Sequence, residues 1–144
     1  MGTLNSPDSP EPPASAAPAA VRVLCVDDDA YFRAVMRTLV ARTPGFRPIG
    51  EAASGEAAIT DAVTLRPDLV LSDVRMPGID GFEASSRLLD INPRLCIVLA
   101  SADPIEPPSW FDPSGAQVVC FSKGGLSPRV LLECWQRHAA STPW

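Results

Sequence analysis

The stretch "VRVLCVDDD", Val21 to Asp29, sets an apolar run directly against three carboxylates. Five of the six residues from Val21 to Val26 are apolar or Cys, which is typical of a strand buried on both faces. Like charges this close together cost free energy, and the cost rises beside a core. A strand that ends on three aspartates therefore raises the question of what offsets their repulsion.

Length and charge exclude several classes of function. The chain has 144 residues, of which 46% are hydrophobic, and this suits one domain with a real core. The net charge of −5 argues against contact with a phosphate backbone, so we expect no direct DNA binding. We expect a cytoplasmic protein without membrane contact, because no apolar run approaches the roughly 20 residues of a span and no secretory signal opens the chain.

Composition also predicts the domain boundaries. Residues 1–20 are rich in Pro, Ala and Ser and almost lack large apolar side chains, so they cannot offset their own ordering entropy. We expect a disordered tail at 1–20, a folded domain at 21–140 and a short C-terminal tail at 141–144. The four cysteines form no C-x-x-C pair, and we expect all of them to be reduced core residues: Cys25, Cys96, Cys120 and Cys134.

Strand and helix patterns alternate along the chain. The predicted strands cover residues 21–26, 46–52, 67–73, 95–101 and 117–123. The predicted helices cover residues 30–42, 55–65 and 81–91, and a last one opens at Ser127 and Pro128. This alternation favours βαβ units and a parallel sheet with helices on both faces.

Polar side chains stand at the carboxyl ends of four predicted strands. In an open parallel sheet these ends meet at one rim, where the functional crevice lies. The residues at this rim are Asp27, Asp28, Asp73, Ser101 and Lys123. Three nearby acids need a cation to stay ionised, and Mg²⁺ prefers oxygen ligands. A lysine and a serine add positive charge and a hydroxyl donor, and this set suits a phosphoryl group that a carboxylate can accept.

Four segments carry a resemblance to a known family. "VLCVDDD", "LVLSDVRMPGIDGFE", "VLASAD" and "FSK" resemble the response-regulator receiver domain of two-component signalling, over roughly residues 21 to 140. The resemblance implies an α/β, flavodoxin-like fold, with a doubly wound five-stranded parallel sheet in the order 2-1-3-4-5.

The resemblance also implies a metal site. It implies that Asp28 binds Mg²⁺ (or Mn²⁺) directly and that Asp27 helps, through water. Asp73 and the main-chain carbonyl of Arg75 would complete the protein ligands. On this interpretation the cation offsets the repulsion of the crowded aspartates, and Asp29 is left to cap the next helix.

The remaining implied roles concern the phosphoryl group. Asp73 would accept it from a histidine kinase or a phosphotransfer protein. Ser101 would donate its hydroxyl to the arriving phosphoryl oxygen and move toward it. Lys123 would pair with Asp73 before phosphorylation and with the phosphoryl group afterwards.

The sequence departs from the family at the switch position. Receivers usually carry an aromatic residue three positions before the lysine, and here that position is Cys120. Phe121 is adjacent, but a shift of one residue in a strand points to the opposite face. The lysine is usually followed by proline, whereas Gly124 and Gly125 follow it here, so we expect a looser loop.

A second departure affects the fourth helix of the family. Four prolines between Ser101 and Lys123 disfavour a helix, so we expect it to be short or disrupted, with one turn near residues 108–112. Trp110 and Phe111 lie in this segment. We expect both to pack down in place of the missing helix; the alternative is an anchor for a partner.

These observations predict a single-domain receiver that signals through contacts with an unidentified output protein. Its enzymatic activity would be limited to its own phosphorylation and dephosphorylation. The alternative is a phosphorylation-independent binding module with a constitutive output surface, which Cys120 and the prolines favour. A phosphatase of the haloacid-dehalogenase type, suggested by Asp-x-Asp in "DDD", needs a further acidic pair after the lysine, and only Glu133 follows Lys123.

Overall fold

A computed structural model describes residues 19–111 and 118–141. In chain order the strands are β1 (Val21–Val26), β2 (Phe46–Ala52), β3 (Leu69–Asp73), β4 (Cys96–Ser101) and β5 (Val118–Ser122). The helices are α1 (Ala30–Ala41), α2 (Gly55–Leu65), α3 (Gly81–Ile91) and α4 (Pro128–Ser141), and a short 3₁₀ helix covers Lys123–Gly125. The predicted tail at 1–18 and residues 142–144 lie outside the described residues.

The five strands form one parallel sheet in the order β2-β1-β3-β4-β5. This confirms the predicted fold class and the 2-1-3-4-5 order. β1 and β3 run side by side, with Val26 opposite Ser72, so their carboxyl ends lie at the same height. The residues that follow these two strands are therefore neighbours at one rim of the sheet.

Hydrophobic side chains bury both faces of the sheet, as its continuous apolar strands predict. Alternate residues of β1 point to opposite sides: Leu24 and Val26 belong to the core beneath α2 and α3, whereas Val23 and Cys25 belong to the core beneath α1 and α4. β1, β3 and β4 are almost fully buried, and this fixes the three strands that carry most of the predicted site.

Polar caps begin the helices close to the strand ends. The side chain of Asp29 accepts a hydrogen bond from the amide of Tyr31 at 3.0 Å, as predicted for this residue. Ser54, Asp80 and Ser127 accept from backbone amides three residues later, at 3.0, 2.9 and 3.1 Å. Each cap orients the helix that follows it.

The described residues after β4, 102–111, form no helix. Residues 102–111 contain one turn, closed by a 3.0 Å hydrogen bond from the amide of Phe111 to the carbonyl of Pro108, and residue 112 lies outside the described part. Phe111 packs down as predicted, with its ring 5.0 Å from that of Phe82. The same prediction is wrong for Trp110, which is 55% exposed and covers only the edge of Phe111.

The cysteine prediction holds for three residues and fails for one. Cys25, Cys96 and Cys134 are buried free thiols, and burial raises the pKa of Cys25 and of Cys96 to about 12. Cys120 is exposed, so its assignment to the core is wrong. It lies on the edge strand β5, and residues 102–111 form no helix that could cover the side chain.

Candidate functional site

Three carboxylates meet where β1 and β3 end. Asp27 and Asp28 follow β1, and Asp73 is the last residue of β3. Each contributes one oxygen to a group whose members all lie within 4.8 Å of one another. Asp27 and Asp73 are buried, whereas Asp28 is exposed. The fold therefore brings the three predicted acids together, two inside the crevice and one at its mouth.

Burial and repulsion both act on Asp73. Desolvation raises the pKa of this carboxyl group, and the neighbouring charge of Asp27 raises it further. The ammonium of Lys123 acts in the opposite direction without cancelling the rise. An additional cation at this place would stabilise the ionised form of Asp73, which is the form that can attack phosphorus.

Lys123 reaches the acidic group from the far side of the crevice. Its Nζ donates to Oδ2 of Asp27 at 2.9 Å and lies 3.5 Å from Oδ1 of Asp73. Burial lowers the pKa of Lys123, but its hydrogen bond to Asp27 and the charges of Asp73 and Asp27 outweigh this effect and raise the pKa. The resemblance implies pairing with Asp73, whereas the closer partner in the structure is Asp27.

The loop after Asp73 is closed by glycine. The amide of Gly81 donates to the carbonyl of Val74 at 2.7 Å, and a Cβ on Gly81 would lie only 2.6 Å from the carbonyl oxygen of Asp73. Only glycine permits this approach of α3 to the end of β3. Arg75 is exposed within this loop, two residues after Asp73, and a ligand role for its carbonyl stays a prediction.

Arg33 supports the acidic group from α1, and sequence reasoning missed it. Its guanidinium donates to the main-chain carbonyl of Asp27 at 2.7 Å and lies 3.5 Å from Glu51 on β2. Arg37 also pairs with Glu51, so these three side chains link α1 to β2. The only signal in the sequence for this contact is a basic residue about one helical turn after the aspartates that follow β1.

Ser101 lies at the same rim but is engaged elsewhere. It is buried, and its hydroxyl donates to the carbonyl of Asp103 at 2.7 Å. The amide of Asp103 donates a hydrogen bond to the same hydroxyl at 3.2 Å, so Ser101 closes a tight turn. Its predicted movement toward a phosphoryl group would require this hydrogen bond to break.

Cys120 faces the cleft beside Ser101. The cleft has a volume of about 350 Å³ and lies between the end of β4, the loop after it and β5. Phe121 also borders this cleft and packs against the core beneath α1 and α4. The switch position therefore holds a small exposed thiol, and the space that a large side chain could fill is open.

Comparison with known proteins identifies the family. The family described as "Response regulator receiver domain" matches residues 23–107. The chain is 36% identical to the response regulator GacA of Pseudomonas viridiflava over 111 residues, which cover 76% of this chain and 52% of that protein.

The chain belongs to the response regulator receiver domain family. Solved receiver structures agree: the response regulator domain of Thermotoga maritima CheB covers 86% of this chain and 99% of its own, with a TM-score of 0.66 and 25% identity. A CheY-like receiver from Methanospirillum hungatei JF-1 shares the fold, with a TM-score of 0.69, 20% identity and coverage of 85% and 100%. This receiver spans about half the length of the GacA relative. None of the helices in the part of the chain that the structure describes combines the length and the hydropathy of a membrane span.

Proposed function

We propose that this receiver accepts a phosphoryl group on Asp73 and signals through protein contacts. The observation that carries the proposal is the arrangement around one carboxylate. Oxygens of Asp27 and Asp28 lie within 4.8 Å of it, and the ammonium of Lys123 lies 3.5 Å from it. This is a nucleophile set between a place for a metal ion and a fixed positive charge.

The residues present fit a hard divalent ion. The acidic group offers carboxylate oxygens only, and Mg²⁺ and Mn²⁺ prefer such ligands. Asp28 is the exposed member and Asp27 the buried one, so the group opens to solvent on the side of Asp28. We assign Asp28, Asp27, Asp73 and the carbonyl of Arg75 as the holders of the ion, which would neutralise charge on the phosphoryl oxygens.

The transfer itself needs little more than positioning. A carboxylate oxygen of Asp73 attacks phosphorus, and the bond between phosphorus and the leaving atom of the donor breaks with its electron pair. An acyl phosphate results. Lys123 then pairs with a phosphoryl oxygen, and Ser101 donates its hydroxyl to another after leaving Asp103.

The partners follow from the family and remain part of the proposal. The donor would be a histidine kinase or a phosphotransfer protein, because receivers as a family take phosphoryl groups from these sources. Phosphorylation would shift a pre-existing equilibrium of the rim between two states. The segment after β4 and strand β5 border Ser101, so they are the surface that we expect an output protein to read.

A second function is favoured by one observation. Cys120 is exposed at the position where receivers usually carry an aromatic switch, and no helix forms in residues 102–111 beside it. A surface without this switch suits a module that binds its partner in a constitutive manner. The retained acidic group and Lys123 favour the first proposal over this one.

Titration with Mg²⁺ and beryllofluoride, a stable mimic of the phosphoryl group, separates the two proposals. Backbone amide spectra should show saturable shifts at Asp73, Ser101 and β5 in wild type and none in Asp73→Asn. Shifts confined to the acidic group, with Ser101 and β5 unchanged, would favour the constitutive module. No saturable shift at all would contradict the phosphoryl-acceptor proposal.

A further inference from the structure

We propose that Phe32 is a positioning residue that holds the ammonium of Lys123 in the site. The inference rests on the proposed role of Lys123 at the phosphoryl group. Nζ of Lys123 lies 4.0 Å from the centroid of the Phe32 ring. A cation within about 6 Å of a ring face is attracted by the electrons of the ring.

The ring differs in kind from the other neighbours of the ammonium. Nζ also contacts Oδ2 of Asp27 at 2.9 Å and Oδ1 of Asp73 at 3.5 Å. Both carboxylates belong to the group that could hold a metal ion, so a bound metal ion and the ammonium would share their oxygens. The Phe32 ring offers no lone pair to a metal ion, so a bound metal ion would not compete with the ammonium for this ring. It also accepts no conventional hydrogen bond, which leaves the ammonium protons for oxygen partners.

The backbone just after Lys123 is exposed. Lys123 opens a 3₁₀ helix of three residues, and the other two are Gly124 and Gly125. A Cβ on Gly124 would meet nothing within 4 Å, so no neighbouring group contacts the chain on that side. Ser122 before it is paired in the sheet with Ser101, but the ammonium stands at the end of a flexible four-carbon stem, so its position depends on side-chain contacts.

Phe32 is held firmly enough to act as a platform. It is the third residue of α1, whose start is fixed by the cap at Asp29. Its ring packs against the core beneath α1 and α4, which includes the fully buried Met36 and Val40. The ring is therefore placed by helix and core packing, whether or not a ligand is bound.

Lysine-selective ¹³C labelling tests the contact directly, because Lys123 is the only lysine of the 144 residues. In wild type the ε-CH₂ protons should lie upfield of a free lysine, and carbon relaxation should report an ordered side chain. Phe32→Leu should move the shift toward the free value and increase mobility, whereas Phe32→Tyr should preserve both. Phe46→Leu is the matched control, since Phe46 is buried in the same core at the opposite end of β1.

Affinity for beryllofluoride with Mg²⁺ gives the second readout. Phe32→Leu should bind about three- to tenfold more weakly, as expected for loss of one partly desolvated cation–ring contact. Phe32→Tyr and Phe46→Leu should stay within about twofold of wild type.

Three results would overturn the inference: an unchanged lysine order in Phe32→Leu, an equal change in Phe46→Leu, or a lysine change without any loss of affinity. If wild type itself bound no beryllofluoride, the proposed function would fail, and the lysine spectra would still decide whether Phe32 positions the ammonium.

Discussion

The ammonium of Lys123 lies 2.9 Å from Oδ2 of Asp27 and 3.5 Å from Oδ1 of Asp73, so it serves two buried carboxylates at once. Its side chain is only 16% exposed. The pKa of Lys123 is raised in the folded state, because its carboxylate partners outweigh the opposing effect of burial. A lysine pKa that is raised in the folded state contributes stability at any pH below the pKa in the unfolded chain. This contribution is lost as pH rises through the pKa in the folded state. The ion pair therefore contributes fully at neutral pH.

Lys123→Met should lower the free energy of unfolding by about 1–3 kcal/mol in buffer with EDTA, because Oδ2 of the buried Asp27 loses its donor. Urea denaturation at pH 7 measures this change. Added Mg²⁺ should recover part of the loss, since a second cation can replace the first. Arg47→Met, which removes an exposed cation, should change stability by less than about 0.5 kcal/mol. If Lys123→Met were as stable as wild type, the ion pair would not offset the repulsion between the carboxylates.

Asp73→Asn should be more stable than wild type at pH 7 in EDTA. The pKa of Asp73 is raised by burial and by Asp27, so the folded state holds the ionised form at a cost. A carboxyl pKa that is raised in the folded state gives stability that is present at low pH. This stability is lost as pH rises through the pKa in the folded state. The advantage of Asn should therefore shrink as pH falls through the pKa of Asp73. Urea midpoints measured at a series of pH values give the test, and an advantage that does not change with pH would contradict it.

Gly81→Ala should destabilise the domain by about 1–3 kcal/mol, because its Cβ would lie 2.6 Å from the carbonyl oxygen of Asp73 and 2.9 Å from Cα of Val74. The strain falls on the residue that carries the nucleophile, so acyl phosphate should also phosphorylate the variant more slowly. Gly124→Ala is the matched control: its Cβ meets nothing within 4 Å, and little change is expected. If both variants matched wild type in thermal unfolding, the close approach of α3 would have no energetic role.

Iodoacetamide should label the native protein once, at Cys120, which is the exposed thiol. Partial desolvation raises the pKa of Cys120, so the rate should still be rising with pH above the ordinary thiol value. Burial of Cys25, Cys96 and Cys134 should protect them until the chain unfolds, when all four thiols react. Peptide mass mapping identifies the labelled cysteine. Rapid native labelling of Cys120→Ser would show that a buried thiol is accessible.

The sequence predicts the fold well because its signals are local and agree with one another. The buried run at Val21–Val26, the caps Asp29, Ser54 and Asp80, and the alternation of strands and helices each determine a short segment. The rule that parallel strands end at one rim then brings Asp27, Asp28 and Asp73 together without any knowledge of side-chain packing.

Contacts between distant segments are what the sequence could not supply. Nothing in the pattern around Phe32 shows that its ring faces an ammonium 91 residues later. The bond from Arg33 to the carbonyl of Asp27 and the turn that engages Ser101 depend on rotamers set by packing. The apolar strand pattern around Cys120 predicts a core residue, but it cannot show that residues 102–111 form no helix over this side chain.

Intact mass after incubation with Mg²⁺ and a small acyl phosphate tests the central claim most directly. Wild type should gain the mass of one phosphoryl group, and both EDTA and Asp73→Asn should abolish the gain. Asp90→Asn is a suitable control, because Asp90 lies near the end of α3, away from the acidic group, and this variant should be phosphorylated like wild type. If wild type gained no phosphoryl group from acyl phosphate or from a phosphorylated histidine kinase, or if Asp73→Asn gained one equally well, Asp73 would not be the acceptor.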